Sequence, residues 1–388
     1  MSKFIPYGKQ DISEEDISEV VKVLKSDFLT QGPRVPKFEE DIAEYVDSRY
    51  AIAVNSATSA LHISCLALGV KKGDIVWTCP NTFVASANCA LYCNANIDFV
   101  DIDSKTNNIS IDCLKEKLHE AQINNRLPKV LIPVHLSGNP CNMVEINKLA
   151  KKYDFKIIED ASHAIGARHE SSKIGSCKFS DITVFSFHPV KIITTAEGGI
   201  ATTNNKEIAK KLDLYRSHGI TRNQEMMDYI SHGPWYYEQT HLGYNYRMTE
   251  LQAALGSSQL KRLDEFIEKR NQLAQIYTNS LDSKHLDLPI VRDNSYSSFH
   301  LYIIKLKRLS KTSEHKKFFE KLRNEGIGVN LHYIPVHYHP YYKKLGFKKG
   351  DFPASEDYYN RSISIPLYFG LSKENQEYII DKINSYFL

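Results

Sequence analysis

Phe185-Ser186-Phe187-His188-Pro189-Val190-Lys191, continued by Ile192-Ile193-Thr194-Thr195-Ala196-Glu197-Gly198-Gly199, decides how this chain is read. An apolar, strand-like run ends there and a short polar, Gly-rich stretch follows. Upstream, the largely apolar Phe155-Lys156-Ile157-Ile158 ends in Glu159-Asp160-Ala161-Ser162-His163. Strand ends of this kind are where an α/β protein places its chemistry. A lysine and a carboxylate at two such ends fit pyridoxal phosphate. That cofactor needs a Lys for its Schiff base and an acidic partner for its pyridinium nitrogen.

The same texture extends outward. Short apolar strands are predicted at 50–54, 74–78, 97–101, 130–134, 155–158, 182–185 and 199–203. Helical stretches are predicted at 13–24, 36–45, 55–68, 83–91, 111–121 and 143–152. Such alternation means an α/β fold with a mostly parallel central sheet covered by helices on both faces. Residues 251 to about 281 read as one long helix. Beyond it come a partly exposed strand at 299–306, a helix at 315–325, a strand at Asn330-Leu331-His332-Tyr333 and a last helix at 373–387. The expected division is a large α/β domain over 1–250, then the connecting helix and a small α+β domain over 251–388.

The chain has 388 residues, 42% apolar and 24% charged, with a net charge of +3. These are values of a globular protein, with no electrostatic case for nucleic acid or a membrane surface as partner. No apolar stretch approaches membrane-spanning length, and the N-terminal residues lack a signal peptide's apolar core. The seven cysteines are odd in number and form no C-x-x-C pair. Reduced core residues in a cytoplasmic protein are expected.

Each candidate has a bland reading beside its functional one. Asn55-Ser56-Ala57-Thr58-Ser59-Ala60-Leu61 opens a helix whose first amides can hold an anion, or is a plain Ser N-cap. Phe83 can stack on a flat ring or fill core. Asp160 can pair with a pyridinium or cap a helix. His163 can donate to a phenolic oxygen or pack, and Ser186 can bind phosphate or serve as a small strand residue. His332, His337 and His339 lack nearby acids or cysteines, and no metal site is expected. Neither G-x-G-x-x-G nor a P-loop lysine motif is present.

Taken together, Asn-Ser-Ala-Thr-Ser-Ala-Leu, Glu-Asp-Ala-Ser-His-Ala-Ile-Gly-Ala, Phe-Ser-Phe-His-Pro-Val-Lys, Arg216-Ser217-His218-Gly219 and Gly243-Tyr244-Asn245-Tyr246-Arg247-Met248-Thr249-Glu250 resemble the DegT/DnrJ/EryC1/StrS aminotransferases over nearly the whole chain. The resemblance implies fold type I of the pyridoxal-phosphate enzymes. It implies Lys191 as the catalytic, cofactor-anchoring lysine, Asp160 at the pyridine nitrogen, Phe83 on the ring and His163 at its hydroxyl side. Ala57, Thr58 and Ser186 would hold the phosphate. Asn245 would reach the phosphate of the neighbouring subunit's cofactor, in a homodimer with shared sites. Tyr7, Phe28, Leu29, Thr30, Asn330, His332 and Tyr333 resemble segments that line the sugar-nucleotide site.

Ser298-Phe299-His300-Leu301-Tyr302, His332-Tyr333-Ile334-Pro335 and His163, where many members carry Gln, point to the branch working toward pseudaminic acid. The implied reaction moves an amino group from L-glutamate to the C4 keto group of a nucleotide-linked, UDP by expectation, 4-keto-6-deoxy-N-acetylhexosamine. Other readings are a GDP- or dTDP-linked aminotransferase of the perosamine type, a sugar dehydratase, and a ligand-binding regulator. Relatives of the dehydratase type have His in place of the lysine found here at 191.

Overall fold

The computed structural model describes residues 4–307 and 313–388. Helices α1 (Glu14–Leu24) and α2 (Arg34–Val46) precede β1 (Tyr50–Val54). Then follow α3 (Ala57–Ala67), β2 (Ile75–Thr78), α4 (Ala85–Tyr92), β3 (Asn96–Phe99), α5 (Ile111–Ile123), β4 (Val130–Ile132), α6 (Met143–Tyr153) and β5 (Lys156–Asp160). The small strands β6 (Arg168–His169) and β7 (Ser172–Lys173) lead to β8 (Ile182–Ser186), β9 (Gly199–Thr203) and α7 (Lys206–Arg216).

These strands form a seven-stranded sheet in the order β1-β9-β8-β5-β4-β2-β3. Every pair from β8 to β3 is parallel, and β9 alone runs against both its neighbours. The mostly parallel sheet expected from the sequence is therefore present. Both faces are buried, which is why the strands are apolar runs. In β5, Ile157 joins the core beneath α5 and α6, whereas Ile158 joins the core beneath α3, α4 and α7. In β8, Val184 belongs to that second core and Phe185 to a third, under α2.

After two short strands, β10 (Ile220–Thr221) and β11 (Glu238–Gln239), the single helix expected over 251–281 is two, α8 (Glu250–Leu260) and α9 (Leu263–Ser280). The break falls at Lys261-Arg262. Both Nη atoms of Arg262 donate to Asp11 Oδ1, at 2.8 and 2.9 Å, so the chain turns where it is tied to the segment before α1. Helix α9 then joins two cores. Leu263, Phe266 and Ile267 pack with α2, and Leu273, Ala274 and Tyr277 pack into a separate C-terminal core.

That core is closed by a three-stranded antiparallel sheet, β12 (Leu286–Asp287), β14 (Tyr302–Leu306) and β15 (Ser362–Ile365), with β13 (Ser295–Tyr296) pairing back to β6. Strand β14 is buried at every position, not partly exposed, because helices α10 (Ser313–Asn324) and α11 (Lys373–Asn384) pack into the same core. The strand expected at 330–333 is a single bridge, Asn330 to Ser364; beyond it the chain leaves the sheet to enter the site. No helix among the described residues is long and apolar enough to cross a membrane.

Candidate active site

The carboxyl ends of β1, β5 and β8 and the start of β9 meet at one edge of the sheet. Val54 and Ser186 both pair with Gly199 there. A cavity of about 550 Å³ opens at that edge. Of the cofactor candidates, Ala57, Thr58, Phe83, Asp160, His163, Ser186 and Lys191 all line it. So do the substrate candidates Tyr7, Asn330, His332 and Tyr333. Phe28, Leu29, Thr30 and Asn245 do not. The first three sit in the exposed turn after α1, where the Leu29 carbonyl accepts from Glu250 N–H, and Asn245 is also exposed. The buried Glu250 carboxylate accepts from Arg34 and Val35 N–H, which caps the start of α2 and fixes that turn.

Lys191 is partly open to the cavity. Its poorly solvated surroundings draw its ammonium down to about 8, with Asp160 acting in the opposite sense. Asp160 is buried at the end of β5 and is surrounded by donors. Ser162 N–H and Oγ reach one oxygen at 3.1 and 2.6 Å, and Ser86 Oγ on α4 reaches the other at 2.5 Å. Such an arrangement fixes the orientation of the Asp160 side chain at the cavity, where it can face a cation.

His163 accepts the Ser137 N–H on Nδ1 at 3.2 Å, so the neutral ring carries its proton on Nε2. That nitrogen lies 3.1 Å from Tyr333 Oη. Burial, with Lys191 nearby, holds the imidazole well below its ordinary pKa. His332, bonded through Nδ1 to Ser364 Oγ at 2.8 Å, is pushed down to about 3 by the same causes.

Helix α3 begins at the cavity. The Ser56 side chain caps it by accepting Ser59 N–H at 3.1 Å, which leaves the N–H groups of Ala57 and Thr58 without a hydrogen-bond partner among the described residues. Gly199 makes this approach possible: a Cβ there would lie 2.4 Å from Ala57 N. Ser186 stands at the same end of the sheet. Phe83 is 58% exposed and presents its ring at the cavity, 6.0 Å from that of Tyr333.

Several contributors were not singled out in the sequence. Ser86 and Ser162 hold Asp160. His300 lines the cavity with its ring 4.5 Å from that of His163. Ser86 lies 74 positions from Asp160, and only the sheet order β5-β4-β2, with α4 following β2, brings them together. His337 Nε2 lies 3.0 Å from Glu356 Oε1. Among the described residues, no group of three His, Cys, Asp or Glu side chains is placed to hold a metal.

The model of the DegT/DnrJ/EryC1/StrS aminotransferase family matches residues 10–384. The chain is 38% identical over 384 residues to the UDP-4-amino-4,6-dideoxy-N-acetyl-β-L-altrosamine transaminase of Campylobacter jejuni, covering 98% of this chain and 97% of that one. Among solved structures, the Helicobacter pylori aminotransferase involved in the biosynthesis of pseudoaminic acid superposes with a TM-score of 0.89 at 31% identity, over 99% of each chain. A Streptococcus pneumoniae protein solved in its PMP form superposes with a TM-score of 0.90 at 30% identity, over 98% of each chain. The same protein in its PLP form gives 0.89 at 29% identity. The fold is thus that of the fold type I aminotransferases.

Proposed function

This chain belongs to the DegT/DnrJ/EryC1/StrS aminotransferase family, and from that premise we propose that it moves an amino group from L-glutamate to the C4 keto group of a UDP-linked 4-keto-6-deoxy-N-acetylhexosamine, with pyridoxal phosphate as its cofactor. The observation that carries the reading is Lys191 and Asp160 facing one cavity, in a chain similar over nearly its full length to a transaminase of UDP-linked amino sugars. The residues fit the cofactor. Two unpartnered N–H groups at a helix start suit a phosphate, and an exposed Phe83 ring suits a flat heterocycle. The donor-ringed Asp160 suits a cationic ring nitrogen.

Bound there, pyridoxal phosphate supplies a carbonyl carbon that takes up an amino group and a ring that accepts the electron pair left when a proton departs. The chain's residues do the rest. With its ammonium drawn to about 8, Lys191 holds far more free amine near neutral pH than an ordinary lysine, and Nζ can take a proton from the substrate carbon and return it. Asp160 would face the protonated ring nitrogen with its charge. His163 Nε2–H, which lies 3.1 Å from Tyr333 Oη, would be the donor for the ring hydroxyl, and Ala57, Thr58 and Ser186 would hold the phosphate. Tyr7, Asn330, His332 and Tyr333 form the wall against which the sugar would lie. Asn245 completes the partner's site in a homodimer. The seven cysteines carry no disulfide, which suits a reducing cytoplasm.

The test is to incubate the purified enzyme with L-glutamate and a panel of UDP-, GDP- and dTDP-linked 4-keto sugars and to follow 2-oxoglutarate. Release with the UDP-linked N-acetyl sugar supports the reading. Release only with a GDP- or dTDP-linked sugar moves it to the perosamine type. Loss of a sugar hydroxyl without 2-oxoglutarate would make it a dehydratase.

A further inference from the structure

Behind one wall of the cavity lies a buried arginine that forms no ion pair with a carboxylate among the described residues. Arg270, on α9, is 2% exposed and lies behind that wall. Its Nη1 donates to three carbonyls, Phe299 at 3.3 Å, His300 at 3.2 Å and Leu367 at 2.9 Å, and its Nε has no partner. Among the described residues, no carboxylate forms an ion pair with it. Burial accordingly draws its pKa down to about 10, with no anion opposing the shift. A buried cation without a counter-ion is costly unless something negative comes to it.

In front of Arg270 stands His300, on the cavity, 4% exposed, with its Nδ1 lacking any partner. Burial and the nearby Lys191, Arg270 and His163 keep this imidazole uncharged, so it has one N–H to give. Among the described residues, no arginine lines the cavity and Lys191 is its only lysine. The two carboxylates there are Asp160, already held by Ser86 and Ser162, and the exposed Glu197 in the loop after Lys191.

We infer that His300, with the unpaired charge of Arg270 behind it, forms the subsite for the carboxylate of the amino-acid donor. The inference rests on the transaminase reading and specifies how its first substrate is recognised. The cavity then has two anion poles. The start of α3 takes the phosphate, and the His300 wall takes the donor's carboxylate through a neutral N–H reinforced by a buried positive charge. His300 would touch the substrate; Arg270, which holds the His300 backbone and contributes its field, is a positioning residue.

The experiment measures binding, not turnover. Enzyme loaded with pyridoxal phosphate, so that the phosphate pole is filled, is titrated by calorimetry with glutarate and with its neutral diamide, glutaramide. UDP serves as a control ligand. Wild-type enzyme should bind glutarate at least tenfold tighter than glutaramide. His300→Phe and Arg270→Met should each reduce that preference tenfold or more, His300→Gln, which keeps an N–H, should restore part of it, and the Kd for UDP should stay within twofold. Should Arg270→Met fail to fold, the two His300 variants decide. An unchanged preference in His300→Phe, no preference in the wild type, or a parallel loss of UDP affinity overturns the inference. If the loaded wild type converts no amino acid to its keto acid, the transaminase reading fails separately, and the glutarate preference still reports on the wall.

Discussion

Ser86 Oγ lies 2.5 Å from the Asp160 carboxylate and 2.8 Å from Thr82 Oγ, so the residue proposed to face the cofactor nitrogen is held from a helix 74 positions earlier in the chain. The bond crosses from α4 to the end of β5, and every member of it is buried. It positions the carboxylate and also contributes to the fold.

Separate substitutions divide these roles. Ser86→Ala removes one of three donors, leaves Thr82 Oγ short of a partner, and should lower stability by about 1–3 kcal/mol. Transamination should persist, because Ser162 still holds Asp160. Asp160→Ala should leave a folded protein that binds pyridoxal phosphate yet transaminates orders of magnitude more slowly. Denaturant unfolding and single-turnover absorbance measure the two. Near-normal turnover in Asp160→Ala would contradict the assigned role.

Lys191 gives a pH dependence with a definite sign. Its folded pKa is lowered to about 8 from an ordinary 10.5, so the free amine accumulates as pH rises through 8. The rate at which cofactor-free enzyme captures pyridoxal phosphate, followed by absorbance, should climb with pH and level off above about 8. Asp160 works to raise that pKa, so Asp160→Asn should move the midpoint to lower pH. Between about 8 and 10.5 the unfolded chain holds this proton more than the folded one, so Lys191 makes stability increase with pH over that window. Lys191→Met should flatten that slope, and borohydride reduction followed by peptide mapping should place the label on Lys191.

Gly199 tests the phosphate pole. An added methyl would lie 2.4 Å from Ala57 N and 2.5 Å from Ser56 C, both backbone atoms that cannot rotate away. Gly199→Ala should push α3 off β9, cost about 1–3 kcal/mol of stability and weaken cofactor retention at least tenfold on dialysis. Retention equal to wild type would show that the start of α3 does not hold the phosphate.

Much of this arrangement was legible in the chain. The alternation of apolar runs and helices located all seven strands of the large sheet, because a strand buried on both faces must be apolar throughout. Lys191, Asp160 and the start of α3 stood out because polar residues close apolar runs there. What was not legible depends on partners distant in sequence. The break between α8 and α9 follows from Arg262 meeting Asp11, some 251 positions away, and local periodicity carries no trace of that pair. The segment at 330–333 has strand-like composition but enters the cavity, where His332 and Tyr333 meet Ser364 and His163. His300 sits just before a buried strand and has the look of core. Only the unpaired Arg270 behind it and the cavity in front mark it out.

Asn245 poses the sharpest question about assembly. It is exposed and its side chain makes no hydrogen bond among the described residues, while its backbone carbonyl accepts from Asn55 Nδ2 at 3.4 Å, beside the start of α3. It could therefore serve its own phosphate pole or a partner's, and a mixed dimer separates the two. A Lys191→Ala subunit is combined with an Asn245→Asp subunit, whose added negative charge should repel a phosphate. If Asn245 acts across the interface, one site of the heterodimer has both residues intact and the other has neither. Mixing two poorly active parents should then restore activity, approaching half that of wild type per heterodimer. If Asn245 acts on its own chain, each site carries one defect and mixing restores nothing. Native mass spectrometry of the mixture shows that heterodimers have formed, so that an absence of activity counts against the shared site.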